Sequence, residues 1–122
     1  MIYVVDSDPI MAECVARACG GCDVRIMTDA VAAVQALAEG VPDLIFLEIM
    51  LVGPDGFTLL NELVSYEDTA KVPVVIVTGL DLAGRDLSDY GVVKVLDKSK
   101  MKPADIRWCV ERFTGVKEEI SA

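Results

Sequence analysis

The sequence predicts an α/β protein built on a doubly wound, five-stranded parallel sheet, and three observations carry that expectation. Five short runs are rich in Val and Ile: IYVVD (2–6), VRIM (24–27), DLIFLEI (43–49), VPVVIVT (72–78) and VVKVL (92–96). That is the composition of strands buried on both faces. Segments with apolar residues at helical spacing lie between them, and strict alternation of strand and helix implies parallel strands with helices on both faces. At 122 residues the chain has the size of one domain with one core. The core is expected over about 2–113, and the tail TGVKEEISA (114–122) is polar enough to be a frayed end or the stump of a linker.

Each helix has its own signals. Ile10, Met11, Cys14, Val15 and Ala18 form the apolar stripe of the first, with Asp8 as N-cap, Pro9 at the first helical position and Gly20–Gly21 closing it. Val31, Val34, Leu37 and Ala38 mark the second, which Asp29 caps, and Leu59, Leu60, Leu63 and Val64 mark the third. The fourth crossover, GLDLAGRDLSDY, carries Gly84 in its middle, and a mid-helix glycine costs ~1 kcal/mol. A short, broken or absent helix 4 is therefore expected. The last helix opens at Pro103. Its core face is Ile106, Cys109, Val110 and Phe113, and at 100° per residue Trp108 points to the opposite side.

Charge and composition exclude several functions. Twenty acidic against eleven basic residues give a net charge of -9, which repels nucleic acid and anionic membrane surfaces. No apolar stretch approaches the ~20 residues of a membrane span. The N-terminus lacks the basic region and cleavage site of a signal peptide, so a cytoplasmic protein is expected. The four cysteines do not form a disulfide framework. The CGGC at Cys19–Cys22 closes a helix instead of opening one, so the helix dipole has the wrong sign to activate a thiol. A zinc site has no histidine to draw on, and Cys14 and Cys109 fall on other helical faces.

The run LIFLEIML (44–51) poses the sharpest chemical question, because an unpaired carboxylate inside a short apolar strand is costly. In an open α/β sheet, ligands bind beyond the carboxyl ends of the strands. Asp6, Glu48, Thr78 and Lys98 all fall at such ends, so Glu48 is expected at the mouth of the sheet, meeting Lys98 and the Thr78 hydroxyl.

Taken together, VVDSDP after the first strand, PDLIFLEIMLVGPDGFTLL across the third strand and helix, PVVIVTG at the fourth strand and VLDKS at the fifth resemble the receiver domain of two-component response regulators. The resemblance runs from about residue 2 to 113. It implies the flavodoxin-like (βα)5 fold and, ordinarily, phosphoryl transfer to an aspartate beside Mg²⁺. It places Glu48 as the phosphoacceptor equivalent, Asp6 and Ser7 in the acidic pocket with Asp8 next door, Thr78 as the switch hydroxyl, Lys98 as the lysine and Val95 where a switch aromatic stands.

The departures from that pattern shape the functional expectation. Glu48 extends one methylene further than aspartate, and positioning catalysis is sensitive to errors of ~1 Å. Ser7 is neutral where a hard cation wants charge, and Val95 has no ring to rotate. Asp6 and Glu48 are weak metal candidates, and weak Mg²⁺ binding with no obligatory cofactor is expected. Glu48 reads equally as a fixed mimic of a phosphorylated state or as a decayed site kept for its charge pair. The leading expectation is a non-enzymatic, phosphorylation-independent interaction module that binds a regulatory protein, an effector domain or a second copy, with Trp108 as candidate anchor. The rival is a working Mg²⁺-dependent phosphoacceptor using a neighbouring aspartate or Glu48. A flavin protein of similar fold is disfavoured, because the loop DSDPIM is acidic where phosphate would bind.

Overall fold

The structure is a computed structural model, described here for residues 1–82 and 84–116. Five strands, β1 (Ile2–Val5), β2 (Val24–Met27), β3 (Leu44–Leu47), β4 (Val74–Thr78) and β5 (Val92–Asp97), form one parallel sheet in the order β2-β1-β3-β4-β5. The helices are α1 (Pro9–Ala18), α2 (Ala30–Glu39), α3 (Gly56–Val64), a one-turn α4 (Glu67–Ala70) and α5 (Pro103–Thr114). This is the doubly wound sheet that the strand composition predicts, in the flavodoxin-like form that the resemblance implies.

Two apolar layers hold it together, one on each side of the sheet. Tyr3, Val5, Ile45, Leu47, Val74 and Ile76 pack against α2 and α3, whereas Ile2, Val4, Leu44, Phe46, Val75 and Val77 pack against α1 and α5. The alternation of faces along each strand explains why β1 and β3 are apolar throughout and β4 is apolar up to its last residue, Thr78. Tyr3 is the exception that needs a partner, and its hydroxyl donates to the carbonyls of Ala36 (3.0 Å) and Gly40 (2.7 Å) at the end of α2.

The helix starts follow the local chemistry. Asp8 accepts from the N–H groups of Ile10 and Met11, Asp29 from Ala32, and Asp55 from Thr58. Pro9 and Pro103 occupy first-turn positions whose missing N–H costs nothing.

Two expectations change, and one, the reduced fourth crossover, holds. Burial on both faces fails at the edge strands: Ile26 on β2 and Val93 and Val95 on β5 are exposed, because an edge strand has a neighbour on one side only. Between β4 and β5 the described residues hold a 3₁₀ turn, Ser88–Tyr90, and no α-helix. Gly84 there has φ +82°, which no α-helix accommodates. Finally, α4 lies before β4, where no helix was expected. Its first turn carries Glu67 and Asp68 beside the positive end of the helix dipole, and the buried Thr69 hydroxyl donates to the Leu63 carbonyl at 2.6 Å.

The approach of α3 to the end of β3 sets the geometry beside Glu48. The Gly56 N–H donates to the Ile49 carbonyl (2.8 Å), and a Cβ on Gly56 would lie 2.7 Å from both the Glu48 carbonyl oxygen and the Ile49 Cα. Both obstacles are backbone, so neither can swing aside. Gly56→Ala is accordingly expected to destabilise the fold by ~1–3 kcal/mol in urea unfolding, whereas Gly21→Ala, facing open space, should be within ~0.5 kcal/mol of the parent.

Candidate functional site

In a parallel sheet every strand leaves at the same edge, and here four polar side chains leave together. Asp6 follows β1, Glu48 follows β3, Thr78 ends β4 and Lys98 follows β5. Backbone hydrogen bonds continue the sheet into these positions: Asp6 N–H to Met27, Glu48 N–H to Val5 and Lys98 N–H to Thr78. Their Cα positions are therefore fixed by the sheet.

Lys98 is the hub. Its Nζ lies 2.9 Å from Asp6 Oδ2 and 3.2 Å from Glu48 Oε1. The other Asp6 oxygen, Oδ1, accepts from the Asp8 N–H at 2.9 Å, and Glu48 Oε2 accepts from the Ile49 N–H at 2.8 Å. Glu48 is only 5% exposed and Asp6 4%, so the carboxylate expected at the mouth of the sheet is buried there. Each oxygen of both acids has a protein donor, which is what makes that burial tolerable. Burial pulls the Lys98 pKa down, but the hydrogen bond and charge of Asp6, joined by Glu48, outweigh it and raise the value above that of an ordinary lysine.

The remaining expected site residues take other parts. The fully buried Thr78 hydroxyl accepts from the Leu80 N–H at 3.2 Å, and the hydrogen bonds of Glu48 go to Lys98 and Ile49. The expected Thr78–Glu48 contact is thus replaced by a local turn after β4. Asp8 caps α1. Ser7 Oγ donates to the Thr28 carbonyl (2.8 Å) and accepts from the Val52 N–H (3.0 Å), a link that the sequence did not suggest. Val95 is exposed on β5 and lines an open groove of about 510 Å³ with Gly79, Leu80, Leu82 and Asp97. Trp108 is half-exposed, packed edge-on against Phe113 (5.9 Å) and beneath the Lys94 ammonium (5.0 Å).

Cys19 and Cys109 are buried in the core, whereas Cys14 is exposed. Burial, reinforced by Cys22 and Cys109, pushes the Cys19 thiol up to about 12, and burial pushes Cys109 up to about 11. Both stay protonated and unreactive at neutral pH. Among the described residues no group of three or more His, Cys, Asp or Glu side chains is arranged around a common metal position.

Two outcomes follow from the hub. Glu48→Ala should cost ~1–3 kcal/mol, because it strips the partly buried ammonium of one partner. Adding Lys98→Met should recover part of that loss, and urea titration of the four proteins measures the coupling. The pH dependence has a definite sign. A lysine whose folded pKa is raised adds stability that is complete below its unfolded value of ~10.4 and disappears as pH climbs through the folded value. The coupling should hold at pH 9 and fade under alkaline unfolding above about pH 10.4.

Residues 2–110 match the family described as "Response regulator receiver domain". The DNA-binding dual master transcriptional regulator RpaA of Synechocystis is 39% identical over 82 residues, covering 65% of this chain and 34% of that protein. Response regulator PleD of Caulobacter vibrioides is 37% identical over 62 residues, covering 51% of this chain and 14% of that protein. The chain thus spans about a third or less of the length of these curated relatives. Among solved structures, the receiver domain of NtrX from Brucella abortus aligns with a TM-score of 0.82 at 28% identity, covering 96% of this chain and all of that one. The receiver domain of sensor histidine kinase PA1611 from Pseudomonas aeruginosa, solved with magnesium in its active-site cleft, shares the fold at a TM-score of 0.79 and 24% identity, covering 94% of this chain and 97% of that one. Sequence match, sheet order and the acidic cluster at the carboxyl edge agree: the chain belongs to the response regulator receiver domain family.

Proposed function

We propose that this receiver domain works as a phosphorylation-independent protein-interaction module in a two-component or related regulatory pathway. The carrying observation is the state of Glu48. The residue in the phosphoacceptor place is buried, its two oxygens held by Lys98 and by the Ile49 N–H. An attacking carboxylate needs a free oxygen in line with the donor, and a misplacement of ~1 Å already costs about a hundredfold.

Three further features support the reading. The donor set suits a divalent ion poorly, since Asp6 and Glu48 share an ammonium, Asp8 is spent on the α1 cap and Ser7 brings no charge. Metal-independent function is proposed accordingly. Val95 offers no aromatic ring to move, and the crossover from β4 to β5 has no α-helix among the described residues. The contact surface we favour is the exposed side of α5 with Trp108, which is already ordered by Phe113 and Lys94 and so loses little freedom on binding. It would take a regulatory protein, an effector domain or a second copy, and the net charge of -9 disfavours nucleic acid on this domain.

The test is intact mass after incubation with a small acyl phosphate and Mg²⁺. The expected result is an unchanged mass. A stable gain of one phosphoryl group, lost in Glu48→Gln or Asp6→Asn, would establish the rival reading of a working phosphoacceptor.

A further inference from the structure

We propose that the Ser7 hydroxyl is a metal-independent clasp, a positioning residue that ties three loops together at the carboxyl edge of the sheet. Ser7 lies between β1 and α1, Thr28 between β2 and α2, and Val52 between β3 and α3. One oxygen atom joins all three, donating to the Thr28 carbonyl at 2.8 Å and accepting from the Val52 N–H at 3.0 Å. The role rests on the reading above, in which no divalent ion organises these loops.

The residue type matters here for more than its missing charge. A hydroxyl carries one donor and two acceptor lone pairs, whereas an ionised carboxylate only accepts. An aspartate at this position could still receive the Val52 N–H, but it would set an oxygen anion against the Thr28 carbonyl oxygen. Serine is therefore suited to a task that an acid cannot perform.

The outer turn of the β3–α3 loop has few other anchors. Leu51 is buried and its N–H reaches the Ile49 carbonyl at 3.1 Å, which secures the inner half of the loop. Beyond it, Val52 is 78% exposed and Gly53 has φ +83°, so side-chain burial does not fix the turn. The Ser7 hydrogen bond does. Four residues back along the chain lies Glu48, whose Oε2 depends on the Ile49 N–H. Holding the turn thus helps to hold the backbone that satisfies the buried carboxylate.

Amide hydrogen exchange on the full chain, read residue by residue by NMR, tests the clasp. In the parent protein the Val52 N–H should be protected with or without low-millimolar Mg²⁺. Ser7→Ala should speed its exchange about tenfold or more while the Val4, Phe46 and Ile76 amides keep their rates, which separates local opening from unfolding. Ser7→Thr should restore protection. Ser7→Asp should keep Val52 protected but shift the Thr28 carbonyl carbon resonance, because only the donated bond is lost. Equal Val52 exchange in parent and Ser7→Ala would overturn the clasp, as would protection that appears in the parent only with Mg²⁺. A phosphoryl adduct in the mass experiment with the exchange difference intact would overturn the functional reading and leave the clasp standing.

Discussion

One ammonium shared by two buried carboxylates is the constraint on which the rest of the site depends. Asp6 and Glu48 leave β1 and β3, adjacent strands near the middle of the sheet, and neither acid could be covered without a cation. The cation comes from β5, with β4 in between. Lys98 reaches both acids because β5 is held in register on β4, with Asp97 beside Thr78 and the Lys98 N–H on the Thr78 carbonyl. Strand order, register and ion cluster are therefore one arrangement. The cluster keeps an excess negative charge, which the N–H groups of Asp8 and Ile49 offset as fixed dipoles.

Our proposal is that the same arrangement limits what the site can do. At the carboxyl edge Asp6, Glu48 and Lys98 satisfy one another. The fourth crossover points the same way. Among the described residues this segment holds left-handed Gly84 and a 3₁₀ turn where a packed helix would otherwise lie. Val95 then stands exposed beside Leu80 on the open side of β5. The chain covers about a third or less of the length of its longer relatives.

Much of this was legible in the sequence, for reasons that differ from element to element. Strands β1, β3 and β4 were readable because a strand buried on both faces must be apolar at every position. The caps at Asp8, Asp29 and Asp55 bond two or three residues ahead, so local chemistry is enough to find them. The Glu48–Lys98 pair followed from the need to neutralise a carboxylate at a strand end. What could not be read depends on neighbours distant in sequence. The exposure of Val93 and Val95 requires knowing that β5 is an edge, and the Ser7 link spans 21 residues to Thr28 and 45 to Val52. Helix α4 is a single turn, too short for periodicity to show. Helical spacing turns Trp108 away from the core, but its seat between Phe113 and Lys94 needs the packing of α5 on β5.

The central claim is that the cluster of Asp6, Glu48 and Lys98 holds one conformation instead of a switch between two. The most direct test is the backbone amide spectrum of the whole chain with and without a small acyl phosphate and Mg²⁺. The account predicts one set of resonances, unmoved in residues 48–56, 78–82 and 92–98. A second set in those segments, growing with donor and vanishing as it is consumed, would contradict it.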